Sequence, residues 1–192
     1  MSNKCWYETT IEFDPFFSKE NLPFIGKNDC IKQEGIWKKP LEEIFSKEWI
    51  SYLKDLPLPL WKNVLLFYRR PHYYAHRGHV DVQDTSCGLN WIIGGKDSEM
   101  IWYEMPKHDR QIKTSIAGTP YLSWPVSEMK EIERHKLSNN KLTLVRVDIP
   151  HAIVVRNDDR WCISVRTLGK EFNSWDTTVD YFKSKNLLED RC

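Results

Sequence analysis

Between Pro40 and Leu56 the apolar residues recur at helical spacing. Leu41, Ile44, Phe45, Trp49, Tyr52, Leu53 and Leu56 share one face, while Glu42, Glu43, Glu48 and Lys54 fall largely elsewhere. Pro40 suits the first turn, Glu42 and Glu43 suit the positive end of the helix dipole, and Pro57 and Pro59 end the element. Beyond Pro59 the period changes. Short apolar or alternating runs follow one another: Val64–Tyr68, Tyr73–Val82, Gly88–Ile93, Met100–Glu104, Leu142–Asp148, His151–Arg156 and Trp161–Leu168. They are rich in Val, Ile, Tyr, Trp and Thr, and are punctuated by Gly94-Gly95-Lys96-Asp97 and Asn157-Asp158-Asp159. Closely spaced strands with such punctuation predict a sandwich or barrel. A short strand is expected around Thr10–Phe13, a short helix over Ser127–Leu137 within the less regular stretch 105–141, and a final amphipathic helix over Trp175–Leu188. The prediction is one mainly β domain with supporting helices. Residues 1–60 form an N-terminal extension and support helix, 61–170 the β core, and 171–192 the C-terminal helix.

Composition agrees with a packed domain. The 192 residues are 41% hydrophobic and 13% aromatic, which argues against disorder. Nine Trp residues serve core packing, or pockets for flat or apolar ligands. The 28 basic and 27 acidic residues nearly cancel, and no Lys/Arg run stands out, so a general electrostatic grip on nucleic acid is not expected. No apolar stretch approaches the roughly 20 residues of a membrane span, and MSNKCWYETTIEF lacks the apolar segment of a secretion signal. The five cysteines (Cys5, Cys30, Cys87, Cys162 and Cys192) are odd in number and form no Cys-x-x-Cys pair. That pattern suits free thiols in a cytoplasmic protein, with Cys87 and Cys162 as small buried strand residues.

The chemistry concentrates in two segments. In Tyr74-Ala75-His76-Arg77-Gly78-His79-Val80-Asp81, residues two apart on a strand face the same way, so His79 and Asp81 project an imidazole and a carboxylate into one space. A simple core does not call for that pair, but a metal does. His151 follows Pro150 and opens a strand 70 residues after Asp81. Two His and one carboxylate form a facial triad that leaves open positions, the coordination of non-haem iron(II) oxygenases. Arg160 comes nine residues after His151, across the Asn157-Asp158-Asp159 turn. If that turn folds the strand back, the guanidinium points inward and can grip a carboxylate through two hydrogen bonds. Ser164 shares its face.

His-x-Asp, a distal His after Pro, and the spaced Arg together resemble the iron(II)/2-oxoglutarate dioxygenase superfamily. The run from His151 to Val165 resembles the protein prolyl hydroxylases especially, and the likeness covers roughly residues 60–170. The resemblance implies a double-stranded β-helix, a cupin-like jelly roll. It implies iron(II) on His79, Asp81 and His151, with 2-oxoglutarate as cosubstrate and dioxygen as oxidant. Arg160 would hold the far carboxylate of the cosubstrate. The implied reaction hydroxylates an unactivated C–H bond and releases succinate and carbon dioxide. The carboxylate of Asp81 favours hydroxylation over halogenation, because related halogenases have Gly or Ala there. A small molecule or peptide is the expected substrate, with an amino acid or peptidyl residue favoured.

Secondary assignments follow from the same strands. Asn90, Ser164 and Tyr74 are expected near the cosubstrate, and Trp91, Trp102 and Tyr103 near the substrate, although an aromatic on a strand more often fills a core. Arg166 shares the face of Arg160 but lies six residues on, roughly 20 Å of extended strand, so Arg160 is preferred. His76 is out of phase with His79, and His108 and His135 are expected in solvent. Two other classes fit parts of the pattern. A zinc hydrolase would use the same three ligands but has no need of Arg160. A jelly-roll binding module would use neither.

Overall fold

Two antiparallel β-sheets face each other, and helices cover the outer side of one of them. The computed structural model describes residues 4–23, 35–82, 85–108, 111–115, 117–137 and 141–189. Among them the strands are β1 (Trp6–Glu8), β2 (Gly35–Pro40), β3 (Leu60–Arg69), β4 (Tyr73–Tyr74), β5 (Arg77–Asp81), β6 (Cys87–Gly94) and β7 (Glu99–Tyr103). The later strands are β8 (Lys113–Thr114), β9 (Pro120–Pro125), β10 (Glu131–His135), β11 (Leu142–Arg146), β12 (His151–Val155) and β13 (Arg160–Thr167). The helices are α1 (Leu41–Ile44), α2 (Lys47–Asp55) and α3 (Trp175–Ser184). One sheet runs β1-β11-β6-β13-β3-β2, and the other runs β10-β7-β12-β5-β9-β8 with β4 added beside β12.

Alternation along the strands divides the interior into layers. On the first sheet Val64, Leu66, Leu89, Trp91, Leu144, Ile163 and Val165 point outward to Phe45, Trp49, Leu53, Phe172, Val179 and Phe182 of the helical side. Trp91 meets the rings of Phe13, Phe45 and Trp49 there. Each such side chain contributes about 1.5–3 kcal/mol on burial, so this layer anchors the helices. The alternate positions face the second sheet. Ile92, Val145, Val147 and Cys162 pack with Met100 and Trp102 at one part of that interface. The rest of it is a cavity.

Several elements differ from the sequence expectation. The helix predicted across Pro40–Leu56 is two helices, broken at Phe45 and Ser46. The buried carboxylate of Asp14 accepts hydrogen bonds from the Ser46 backbone N–H at 2.7 Å and hydroxyl at 2.8 Å, and the Ser46 hydroxyl in turn accepts from Trp49 N–H to start α2. The strand expected at Thr10–Phe13 lies earlier, at Trp6–Glu8, where it pairs with β11. The stretch predicted as a helix over Ser127–Leu137 is one short 3-10 turn followed by β10, an edge strand paired with β7. The C-terminal helix ends at Ser184 rather than Leu188. Cys5, Cys87 and Cys162 are unbridged and buried, as expected for Cys87 and Cys162. Cys30 and Cys192 lie outside the described residues. No helix among the described residues is long and apolar enough to cross a membrane.

Candidate metal centre

On β5, Gly78 and Val80 are buried in the sheet's other face, so Arg77, His79 and Asp81 point between the sheets. Register then brings the distal histidine to them. His79 and His151 are direct partners across β5 and β12, and their rings stand 4.2 Å apart between centroids. One donor atom from each of His79, Asp81 and His151 lies within 4.8 Å of the other two. The Nε2 of His79 is 3.7 Å from Oδ1 of Asp81. Donors bound to one ion at about 2.0–2.2 Å stand about 3–4 Å apart, so these separations are close to those of a shared ion.

The electrostatics favour a cation. His151 Nδ1 lies 3.0 Å from the carbonyl of Ile149. A carbonyl only accepts, so Nδ1 carries the proton and Nε2 keeps its lone pair for a metal. Burial lowers the His151 pKa to about 3, and the neighbouring His79 adds to the effect. Burial also lowers that of His79, against the pull of Asp81. Both rings are therefore neutral and ready to ligate. Burial alone would raise the Asp81 pKa, but the guanidinium of Arg166 with the imidazoles of His79 and His151 together outweigh it and hold the carboxyl below its ordinary range.

Arg166 is the partner that orients Asp81. Its Nη2 donates to Oδ2 at 2.6 Å and leaves Oδ1 directed toward His79. The guanidinium is almost wholly buried and lies over Gly88, where a Cβ would collide with Nη1. Glycine at this point of β6 is what gives the arginine its path to the ligand. The sequence offers Arg166 as a rival to Arg160 for the cosubstrate. The structure pairs it with Asp81 instead.

The three donors open onto a cavity of about 420 Å³, within the range of small-molecule sites. Arg160, Ser164 and Asn90 line it, as the alternation predicted. Ser164 and Asn90 are register partners on β13 and β6. Among the described residues, the buried atoms Arg160 Nε, Ser164 Oγ and Asn90 Oδ1 have no hydrogen-bond partner. Burying such groups unpaired costs about 1–3 kcal/mol each; Arg160 Nε and the Ser164 hydroxyl can donate to an anionic ligand, while Asn90 Oδ1 can accept from a donor. The stem of Arg160 passes within 2.8 Å of where a Gly95 Cβ would sit, at a residue whose φ of +62° already favours glycine.

Four expected residues stand elsewhere. Tyr74 is half-exposed on the outer face of its sheet, opposite Val154, and its neighbour Tyr73 enters the cavity instead. Trp91 faces the helices, because on β6 it is out of phase with Asn90. Trp102 does point between the sheets, but it is fully buried in the packed part, with its indole N–H donating to the Arg146 carbonyl at 2.9 Å. Tyr103 is buried on the opposite face with Ile101 and Ala152. His108 is exposed, as expected, and His76 is exposed too, whereas His135, expected in solvent, is half-buried and stacks on Trp6. Sequence reasoning missed Arg69, Tyr73, Arg77, Lys113 and Tyr121, all in the cavity wall. Arg77 was readable, since it stands two residues before His79 and must share its face. Comparison with protein-family models and with curated proteins gives no match.

Proposed function

We propose that the protein is an iron(II)- and 2-oxoglutarate-dependent oxygenase on a double-stranded β-helix, hydroxylating an unactivated C–H bond of an amino acid or peptidyl residue. The observation that carries this reading is a single cavity holding both a His/Asp/His donor set and the buried guanidinium of Arg160 without a carboxylate partner. His79, Asp81 and His151 would hold the metal, with Arg166 fixing which oxygen Asp81 offers. Arg160 and Ser164 would take the far carboxylate of 2-oxoglutarate, and the side-chain N–H₂ of Asn90 would donate to an oxygen of the same ligand. When bound, iron and 2-oxoglutarate supply the oxidation with dioxygen, yielding succinate and carbon dioxide. The protein's part is to bind, to orient and to keep water from the reacting centre. Leu65, Phe67, Met100 and Ile153 in the wall support that last role. A zinc hydrolase would share the ligands and leave Arg160 without a purpose, so we rank it second.

The test is a screen for succinate release with iron(II) and 2-oxoglutarate over amino acids, peptides and nucleosides. The expected result is substrate-stimulated succinate with a matching hydroxylated product, abolished by Arg160→Ala. Zinc-dependent hydrolysis with no turnover of 2-oxoglutarate would overturn the assignment.

A further inference from the structure

The cavity carries a charge pattern that one cosubstrate does not use up. Arg69, Arg77, Lys113, Arg160 and Arg166 all line it, against the single carboxylate of Asp81. Outside the cavity several cations are held in ion pairs. Arg134 bonds Glu99 and Glu131, Arg156 bonds Glu99, Lys130 bonds Glu104, Arg146 bonds Asp148 and Lys39 bonds Glu43. Among the described lining residues five cations thus face one carboxylate. Arg166 is neutralised by Asp81. Arg160, assigned above to the cosubstrate, is the register partner of Arg69 on β3, and the guanidinium of Arg69 donates to the Tyr68 carbonyl at 2.7 Å and lies over the Tyr73 ring. Arg77 and Lys113 remain.

These two stand on the sheet that carries His79 and Asp81, Arg77 on β5 and Lys113 on β8, with β9 between them. Arg77 precedes His79 by one inward position, and among the described residues its guanidinium donates to Ser123, through Nε to Oγ at 3.1 Å and Nη2 to the carbonyl at 2.8 Å. Ser123 is in turn the register partner of His79. Lys113 pairs in register with Tyr121, which itself stands opposite Asp81. Arg77, bonded to Ser123, and Lys113, opposite Tyr121, therefore both adjoin β9 beside the donor set and the hydroxyl of Ser115, and Asp81, the one carboxylate among the described lining residues, is already held by Arg166.

We propose that Arg77 and Lys113 form a second anion subsite, which selects a small substrate with an apolar body and a terminal carboxylate or phosphate. The apolar body would rest on the Leu65, Phe67 and Met100 wall, and the anion would fix it beside the metal ligands. This deepens the oxygenase reading and rests on it for the separate assignment of Arg160 to the cosubstrate.

Calorimetric titration of the purified protein tests it, with three probes: N-acetylphenylalanine, its neutral amide and phenyl phosphate. An anionic probe should bind about tenfold or more tightly than the amide, and whichever anion binds better identifies carboxylate or phosphate. Arg77→Gln combined with Lys113→Gln should remove that preference, while Arg160→Gln should keep it and weaken 2-oxoglutarate binding. Equal affinity for acid and amide, no binding of either anion, or anion binding lost in Arg160→Gln but intact in the double variant would each overturn the proposal. If 2-oxoglutarate does not bind although the anion preference follows Arg77 and Lys113, the oxygenase reading fails and the subsite stands.

Discussion

Asp81 uses its two oxygens for two purposes: Oδ2 is held by Arg166, and Oδ1 faces His79. The partners are 85 residues apart, so strand periodicity could show each one's face but not their meeting. For that reason Arg166 looked in sequence like a second candidate for the cosubstrate. Removing it leaves a buried carboxylate unpaired. Arg166→Gln is expected to cost about 3 kcal/mol of stability and to lower metal affinity about 10–100-fold, measured by urea denaturation and metal titration. Gly88→Ala should mimic it in part, because a methyl group displaces the guanidinium. Unchanged metal affinity in both variants would separate Arg166 from the centre. A second expectation concerns pH. The folded-state pKa of His151 is about 3, against about 6.5 in an unfolded chain. Between these values the unfolded chain binds a proton that the folded chain refuses. The metal-free protein should therefore lose about 1.4 kcal/mol per pH unit from this group as pH falls below about 6.5. Denaturation at pH 7 and pH 5 measures the slope, and His151→Asn should reduce it.

At the scale of elements, runs of β-branched and aromatic residues were easy to read, and the misreadings have physical causes. The amphipathic stretch Pro40–Leu56 looks continuous because its face repeats correctly. What divides it is Asp14, 32 residues away, which draws Ser46 out of the helix and makes it the cap of α2. Asp14→Ala leaves two donors of Ser46 unpaired and should destabilise the fold by about 2–3 kcal/mol, read from thermal or urea unfolding, without changing metal affinity. Glu131–His135 has good helix formers, yet the free edge of β7 recruits it as a strand, and pairing overrides propensity. Tyr73 and Tyr74 are a matter of phase alone. Once β4 pairs with the end of β12, Tyr74 stands opposite Val154 and turns outward, and Tyr73 turns inward to lie under Arg69.

Over the whole molecule, the donor set was legible because it reduces to local rules: a two-residue spacing on one strand and a histidine at a strand start. The cavity was less so. Its wall comes from both sheets, and the gathering of unpaired cations appears only once they are brought together. Because the donors come from β5 and β12, which are far apart in the chain, an ion joining them should stabilise the assembled fold. At a hundredfold excess over Kd the gain is about 2.7 kcal/mol. Iron(II) or manganese(II) should therefore raise Tm by several degrees, a chelator should reverse the shift, and His79→Ala or His151→Ala should abolish it. A Tm indifferent to metal would speak against a centre here.

The most direct test is anaerobic titration of 2-oxoglutarate into the iron(II)-loaded protein, followed by visible absorption. The account predicts a new charge-transfer band that needs both iron and 2-oxoglutarate, is absent in Asp81→Ala, and in Arg160→Gln requires about tenfold or more 2-oxoglutarate to appear. Tight iron binding with no spectral response to 2-oxoglutarate, or a response unaltered by Arg160→Gln, would contradict it.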